Sequence, residues 1–128
     1  MQIAFFCVLV AGLLPYVYTG VSKVAGPRYD NRDVRQWQGG LSGPAYRAYA
    51  AHLNSFEAFP FFAAAVLAAA VAGADAALVN QLAIAFVVLR LVYFGVYLAN
   101  LATLRSLVWF AGMGCVITIF ATAIQAMH

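Results

Sequence analysis

Four long apolar runs constrain the fold of this chain more than any other feature. They cover residues 3–25, 45–73, 76–99 and 106–127. A helix of about 20 apolar residues crosses the hydrocarbon core of a bilayer, so each run is long enough to span it. Helices are expected because a bilayer offers no hydrogen-bond partner to an unpaired backbone group. Since the links between the runs are short, the sequence predicts an all-α membrane protein. Residues 1–128 would form one domain, an antiparallel bundle of four transmembrane helices.

The composition agrees with this class of protein. The chain has 128 residues, of which 66% are hydrophobic and 9% are charged, whereas a soluble domain is about 25% charged. Most charged residues lie between Lys23 and Arg47, so the net charge of +3 belongs mainly to one loop and does not indicate nucleic-acid binding. The two cysteines, Cys7 and Cys115, lie inside apolar runs and indicate neither a disulfide framework nor a metal site.

Residues 26–44 form the only long link, and basic residues predict which side of the membrane it faces. Its arginines Arg28, Arg32 and Arg35 have two interpretations, a topology signal or a lid that binds anions. Arg105 lies in a link on the same side of a four-span chain, whereas the link on the other side carries only Asp75. Because cytoplasmic loops are enriched in Lys and Arg, we expect this loop inside the cell and both termini outside.

One acid and one base lie deep inside the apolar runs. Glu57 lies ten residues past Arg47, which places it about 15 Å into the bilayer. Arg90 lies ten residues before Asn100 on a helix of opposite direction and reaches about the same depth. An isolated charge at this depth costs roughly 3 kcal/mol or more. We therefore expect Glu57 and Arg90 to pair, within one chain or across an interface.

Polar residues on three helices extend this pair into a cleft that opens toward the cytoplasm. Spacings of three and four residues place them on common helix faces. They are Arg47, Asn54, Glu57, Arg90, Tyr93, Tyr97, Arg105 and Ser106. A structural salt bridge braced by hydrogen-bonded tyrosines is the alternative to a binding site. His52 points away from this face and is expected to donate an interhelical hydrogen bond. The alanine-rich stretches 63–65 and 68–70 permit close helix contacts and predict an oligomer interface.

Three motifs together resemble the MAPEG family, the membrane-associated proteins of eicosanoid and glutathione metabolism. The second run carries Ala51-His52-Leu53-Asn54-Ser55-Phe56-Glu57 followed by Pro60-Phe61-Phe62. The third carries Arg90-x-x-Tyr93-x-x-x-Tyr97, and the fourth helix is preceded by Leu104-Arg105-Ser106. The chain is most similar to bacterial-type members that resemble microsomal glutathione transferases. Glutathione-using members carry an arginine four residues, or one residue, before the asparagine of the second-run motif, and those positions are Ala50 and Leu53 here.

The resemblance implies a homotrimer that binds glutathione as a cosubstrate between subunits, near the cytoplasmic side of the bacterial inner membrane. Asn54 and Glu57 would contact the polar ends of the tripeptide, and Arg90, Tyr93 and Tyr97 would complete the pocket. Arg47 lies one turn earlier and could reach in. Arg105, at the start of a helix, would stabilise the thiolate, with Ser106 as a second donor. The substrate would be a lipophilic small molecule dissolved in the bilayer.

Three functions follow as hypotheses. The first is a glutathione-dependent transferase or peroxidase that acts on lipophilic electrophiles through an activated thiolate. The second is a non-catalytic protein of the same fold in which Glu57 and Arg90 form a structural pair. The third is a small proton-coupled transporter, which would need Glu57 accessible and unpaired.

Overall fold

The computed structural model describes residues 1–128 and contains helices only. The helices are α1 Gln2–Ala25, α2 Val34–Gly39, α3 Gly43–Ala72, α4 Ala76–Leu98 and α5 Ala102–Ala126. All except α2 are long and apolar enough to cross a membrane. The prediction of an all-α chain with four membrane-spanning helices is therefore confirmed.

The turn between α3 and α4 is tight because a glycine ends one helix and an aspartate begins the next. Gly73 has a left-handed backbone, with φ of +69°, and the Ala74 N–H donates to the Ala69 carbonyl at 2.9 Å. This is the backbone pattern that glycine favours at a helix C-terminus. The Asp75 carboxylate accepts a hydrogen bond from the Ala77 N–H at 2.9 Å. Two residues beyond the glycine thus suffice to reverse the chain.

The link between α4 and α5 is shorter than the sequence predicts. Asn100 has a φ of +60° and ends α4, since asparagine tolerates the left-handed conformation better than most residues. Leu101 then caps α5, which begins at Ala102 rather than at residue 106. This shift moves Arg105 from the start of the helix to its second turn.

The long loop is an ordered cap on the ends of α1 and α3. It contains the short helix α2, which the sequence did not predict, and Asp33 caps it by accepting from the Gln36 N–H at 3.1 Å. Trp37 folds back onto the loop and donates from Nε1 to the Pro27 carbonyl at 3.2 Å. Gly26 is required here, because a Cβ at this position would lie 2.9 Å from the Ser22 carbonyl oxygen.

Helix α3 lies at the centre of the bundle and packs against α1, α4 and α5. Small side chains such as Ala65 and Ala69 face the core and let the helices approach closely. Phe62 of α3 stacks on Phe86 of α4 with ring centroids 4.0 Å apart. A second, smaller cluster formed by Leu14, Tyr18, Ala51 and Tyr93 lies toward the long loop.

Truncation of the aromatic stack is expected to destabilise the bundle strongly. Phe62→Ala removes a fully buried ring and should lower the free energy of unfolding by about 3 kcal/mol, because the neighbouring rings cannot fill the cavity. Phe6→Ala is the matched control, since that side chain is 65% exposed. Unfolding titrations in mixed micelles measure both. Equal losses of unfolding free energy in the two variants would contradict the assignment of Phe62 to the core.

Candidate functional site

Arg90 is the most deeply buried charged residue of the protein, and its partners are neutral. Its side chain is 5% exposed. Its Nη2 donates to Asn54 Oδ1 at 2.8 Å and to Ser55 Oγ at 3.0 Å. The guanidinium carbon lies 4.4 Å from the centroid of the Tyr93 ring, a cation–π distance. The positive charge is thus held by dipoles and a ring rather than by a carboxylate.

The backbone of Arg90 joins the same network to α1. The Tyr18 hydroxyl donates to the Arg90 carbonyl oxygen at 3.0 Å, and Tyr18 is 1% exposed. Three of the four spanning helices therefore meet at this residue. Tyr18 and Ser55 were missed by the sequence analysis. Two signals in the sequence could have revealed them: the Ser55 hydroxyl directly after Asn54, and the hydroxyl of Tyr18 inside an apolar run.

The predicted pair of Glu57 and Arg90 does not form within one chain. Glu57 is exposed on α3 and makes no ion pair or hydrogen bond. Successive helix residues rotate by about 100°, so Glu57 points about 200° away from Ser55. Ser55 is buried and faces Arg90, whereas Glu57 is exposed at the surface of the chain. The option of pairing across an interface stays a prediction.

Glu57 belongs to an exposed stripe along α3. The stripe is formed by Leu53, Glu57, Pro60, Ala64, Leu67 and Val71, which are all exposed. These positions recur every three or four residues, so they lie on one face of the helix. No helix of the same chain covers this stripe, although α3 is the central helix of the bundle.

Arg105 and two tyrosines form a second cluster closer to the loop side. The guanidinium carbon of Arg105 lies 4.4 Å from the centroid of the Tyr97 ring. The rings of Tyr97 and Tyr93 meet edge to face with centroids 5.6 Å apart. Because Tyr93 also contacts Arg90, the two arginines lie on either side of a tyrosine pair.

A pocket of about 240 Å³ opens beside this cluster. It is lined by Tyr93, Arg105, Ser106, Trp109 and Phe110. Three of these are residues that the sequence analysis placed in the cleft. Trp109 and Phe110 were missed, although each follows Arg105 by about one turn. They add apolar walls to a pocket whose other side carries a guanidinium and a hydroxyl.

The position of Arg105 corrects one expectation about its chemistry. Its backbone N–H donates to the Leu101 carbonyl at 2.9 Å, so it is not one of the free donors of the helix N-terminus. The Ser106 hydroxyl donates to the Ala102 carbonyl at 3.3 Å. Electrostatic stabilisation from Arg105 must therefore come from its guanidinium.

Arg47 and His52 have surroundings of their own. Arg47 donates from Nε to the Leu98 carbonyl at 3.1 Å. Its positive charge stabilises the C-terminus of α4, because that end of a helix carries a partial negative charge. It does not line the Arg105 pocket. His52 is 9% exposed, and its Nδ1 is buried with no hydrogen-bond partner. The interhelical hydrogen bond expected of this histidine is therefore not formed.

Removing one acceptor of Arg90 should destabilise the protein. Ser55→Ala leaves the buried guanidinium with one hydrogen bond fewer, which should lower the free energy of unfolding by about 1.5 kcal/mol. Ser106→Ala is the matched control, because that hydroxyl is exposed and bonds only its own helix. Unfolding titrations of both variants should differ by more than a factor of two in lost stability. A neutral Ser55→Ala would contradict the network.

The family comparison agrees with the motifs on these helices. The model of the MAPEG family matches residues 3–125, which is nearly the whole chain. Searches of curated proteins and of solved structures found no match. The family model covers all four spanning helices together with the Arg90 network and the Arg105 pocket. The chain belongs to the MAPEG family.

Proposed function

We propose that the protein binds glutathione beside Arg105 and transfers its thiolate to lipophilic electrophiles. The observation that carries the proposal is the Arg105 guanidinium, which lies against the Tyr97 ring at a pocket with apolar walls. Glutathione carries two carboxylates and a thiol, so it suits a pocket with a cation. The association of the family with glutathione adds support.

Several residues of the chain would each make a different contact with glutathione. Arg105 would hold the sulfur as thiolate, because a nearby cation lowers the pKa of a thiol from about 8.5. Ser106 would donate a second hydrogen bond once its hydroxyl turns away from the Ala102 carbonyl. Arg90, Tyr93 and Tyr97 would form the base of the pocket. Asn54 already accepts from Arg90 and keeps its amide N–H groups for the ligand.

The reaction needs little beyond thiolate activation and a place for the second substrate. In transfer, the sulfur donates an electron pair to the electrophilic carbon, a carbon–sulfur bond forms, and the leaving group departs with its bonding pair. In peroxide reduction, two glutathione molecules become a disulfide while a hydroperoxide becomes an alcohol and water. Trp109 and Phe110 line the pocket and suit an apolar substrate from the bilayer.

Glu57 supports assembly of the protein as a homotrimer. A carboxylate facing lipid costs roughly 3 kcal/mol, and Glu57 lies on the exposed stripe of the central helix. Another copy that covered this stripe would remove Glu57 from lipid and bring it near an arginine or a bound tripeptide. The ammonium group of glutathione is a suitable partner for the carboxylate. The long loop and this site would face the cytoplasm, with both termini outside.

Measurements of glutathione binding and of its dependence on Arg105 test the proposed enzyme activity. Titration calorimetry on the detergent-purified protein should show saturable binding in the millimolar range or tighter. Arg105→Ala should raise the pKa of the bound thiol and lower conjugation of an aromatic electrophile at neutral pH about tenfold, the equivalent of about one pKa unit. The pH–rate profile of this variant should shift to higher pH. Arg32→Ala is the control, since Arg32 is exposed and pairs with Asp30.

Absence of saturable glutathione binding would contradict the proposed enzyme activity. The exposed, unpaired Glu57 then favours a second candidate, a proton-coupled transporter. Glu57→Gln separates the two, because a transporter would lose proton flux in liposomes. An enzyme would lose affinity for glutathione and would move no protons.

A bulky side chain on the exposed stripe tests the assembly. Ala64→Trp should break the homotrimer, because a ring at the centre of the stripe prevents close contact between copies of α3. Native mass spectrometry should count three subunits in the unmodified protein and fewer in this variant. Ala121→Trp on α5 is the matched control, since Ala121 is also exposed but lies outside the stripe. A monomeric unmodified protein would contradict the proposal.

A further inference from the structure

Arg47 is the one residue predicted for the cleft that the proposed reaction does not use. It lies on the second turn of α3, is partly buried, and does not line the Arg105 pocket. Its Nε donates to the carbonyl oxygen of Leu98, the last residue of α4, at 3.1 Å. This is the only hydrogen bond that the side chain makes within the chain. It joins the start of α3 to the end of α4.

The Leu98 carbonyl needs a partner from outside its own helix. Asn100 ends α4 with a φ of +60°. The N–H groups of Asn100 and Leu101 fold back onto the carbonyls one and two residues before Leu98, at 3.0 Å and 3.2 Å. This pair of bonds is typical of a helix that ends in a left-handed residue. The pattern passes over the Leu98 oxygen, which would lack a partner without Arg47.

The end of α4 carries the groups that place Arg105. The ring of Tyr97, the neighbour of Leu98, has its centroid 4.4 Å from the guanidinium carbon of Arg105. The chain then passes through Leu101, whose carbonyl accepts the Arg105 N–H at 2.9 Å. Both the ring that faces the guanidinium and the backbone that carries it are therefore attached to the segment that Arg47 holds.

We infer that Arg47 is a positioning residue for Arg105. By holding the Leu98 carbonyl it fixes the end of α4, and the end of α4 sets the Tyr97 ring and the Arg105 guanidinium at the pocket. Arg47 itself touches neither the pocket nor its ligand. The catalytic consequence rests on the proposed glutathione reaction, in which a displacement of about 1 Å costs up to about 100-fold in rate. The effect on the end of α4 does not rest on that reaction.

The identity of the donor atom separates this role from the charge of Arg47. In Arg47→Gln the amide nitrogen is bonded to Cδ, as Nε is in arginine, so the hydrogen bond can form without the charge. Arg47→Lys keeps the charge but has a carbon at that position. Arg47→Met has a similar length and offers neither the donor nor the charge.

Hydrogen exchange, measured by mass spectrometry on the detergent-purified full chain, tests the end of α4. Arg47→Met and Arg47→Lys should raise the amide exchange rate of residues 99–105 about tenfold, the effect of one lost hydrogen bond to a charged group. Arg47→Gln should stay within about threefold of the unmodified protein. Arg32→Met is the control, since Arg32 is exposed and pairs with Asp30. Unchanged exchange in Arg47→Met, or an equal rise in all four spanning helices, would overturn the inference.

Steady-state conjugation of an aromatic electrophile tests the consequence for Arg105. Arg47→Met should lower kcat about tenfold and change the KM for glutathione less than twofold, because Arg47 contacts no part of the ligand. Arg47→Gln should restore most of kcat. An unchanged kcat in Arg47→Met would overturn the inference. A raised KM that Arg47→Lys avoids and Arg47→Gln does not would overturn it in favour of direct contact with a glutathione carboxylate.

The two measurements also separate this inference from the proposed function. If the unmodified protein binds no glutathione, the proposed function fails. The exchange rates of residues 99–105 then still decide whether Arg47 holds the segment that carries Arg105.

Discussion

The bundle depends on one buried cation that has no buried acid beside it. A membrane charge of this kind costs roughly 3 kcal/mol, and a hydrogen bond to a charged group returns about 1.5–3 kcal/mol. Arg90 makes two such bonds, to Asn54 and Ser55, and packs its guanidinium against the Tyr93 ring. Neutral dipoles offset the cost of burial without cancelling the charge. Arg105 packs against the Tyr97 ring next to Tyr93, so two guanidinium groups flank this tyrosine pair.

The rotation of α3 about its axis connects this interior to the surface of the protein. Ser55 faces Arg90, and Glu57 lies about 200° from Ser55 around the helix and is exposed. The same rotation sends Leu53, Ala64 and Leu67 to the outside in one stripe. The orientation that gives Arg90 its two acceptors is thus the one in which this stripe of α3 lies at the surface of the chain. The acid expected to pair with Arg90 is therefore exposed on the surface of the single chain.

The sequence predicted the spanning helices because lipid leaves the backbone few alternatives. Gly73 likewise marked the end of a helix, since glycine adopts the left-handed conformation at little cost. Asn100 also ends a helix in the left-handed conformation, but asparagine is a weaker signal for this than glycine. The predicted start of α5 therefore lies four residues too late. Helix α2 was missed because it has only six residues, too few to show a helical repeat of apolar positions. Depth matching placed Arg90 near the level of Asn54 and Ser55, its partners within the chain, but it did not predict them, because depth does not reveal how each helix is rotated.

Ala50 and Leu53 distinguish this chain from the glutathione-using members that its second-run motif resembles. Those relatives carry arginine at one or the other of these positions, and here Leu53 lies on the exposed stripe. Arg47, the nearest basic residue on α3, is held by the Leu98 carbonyl. The buried arginine and the pocket-lining arginine of this chain therefore lie on α4 and α5, as Arg90 and Arg105.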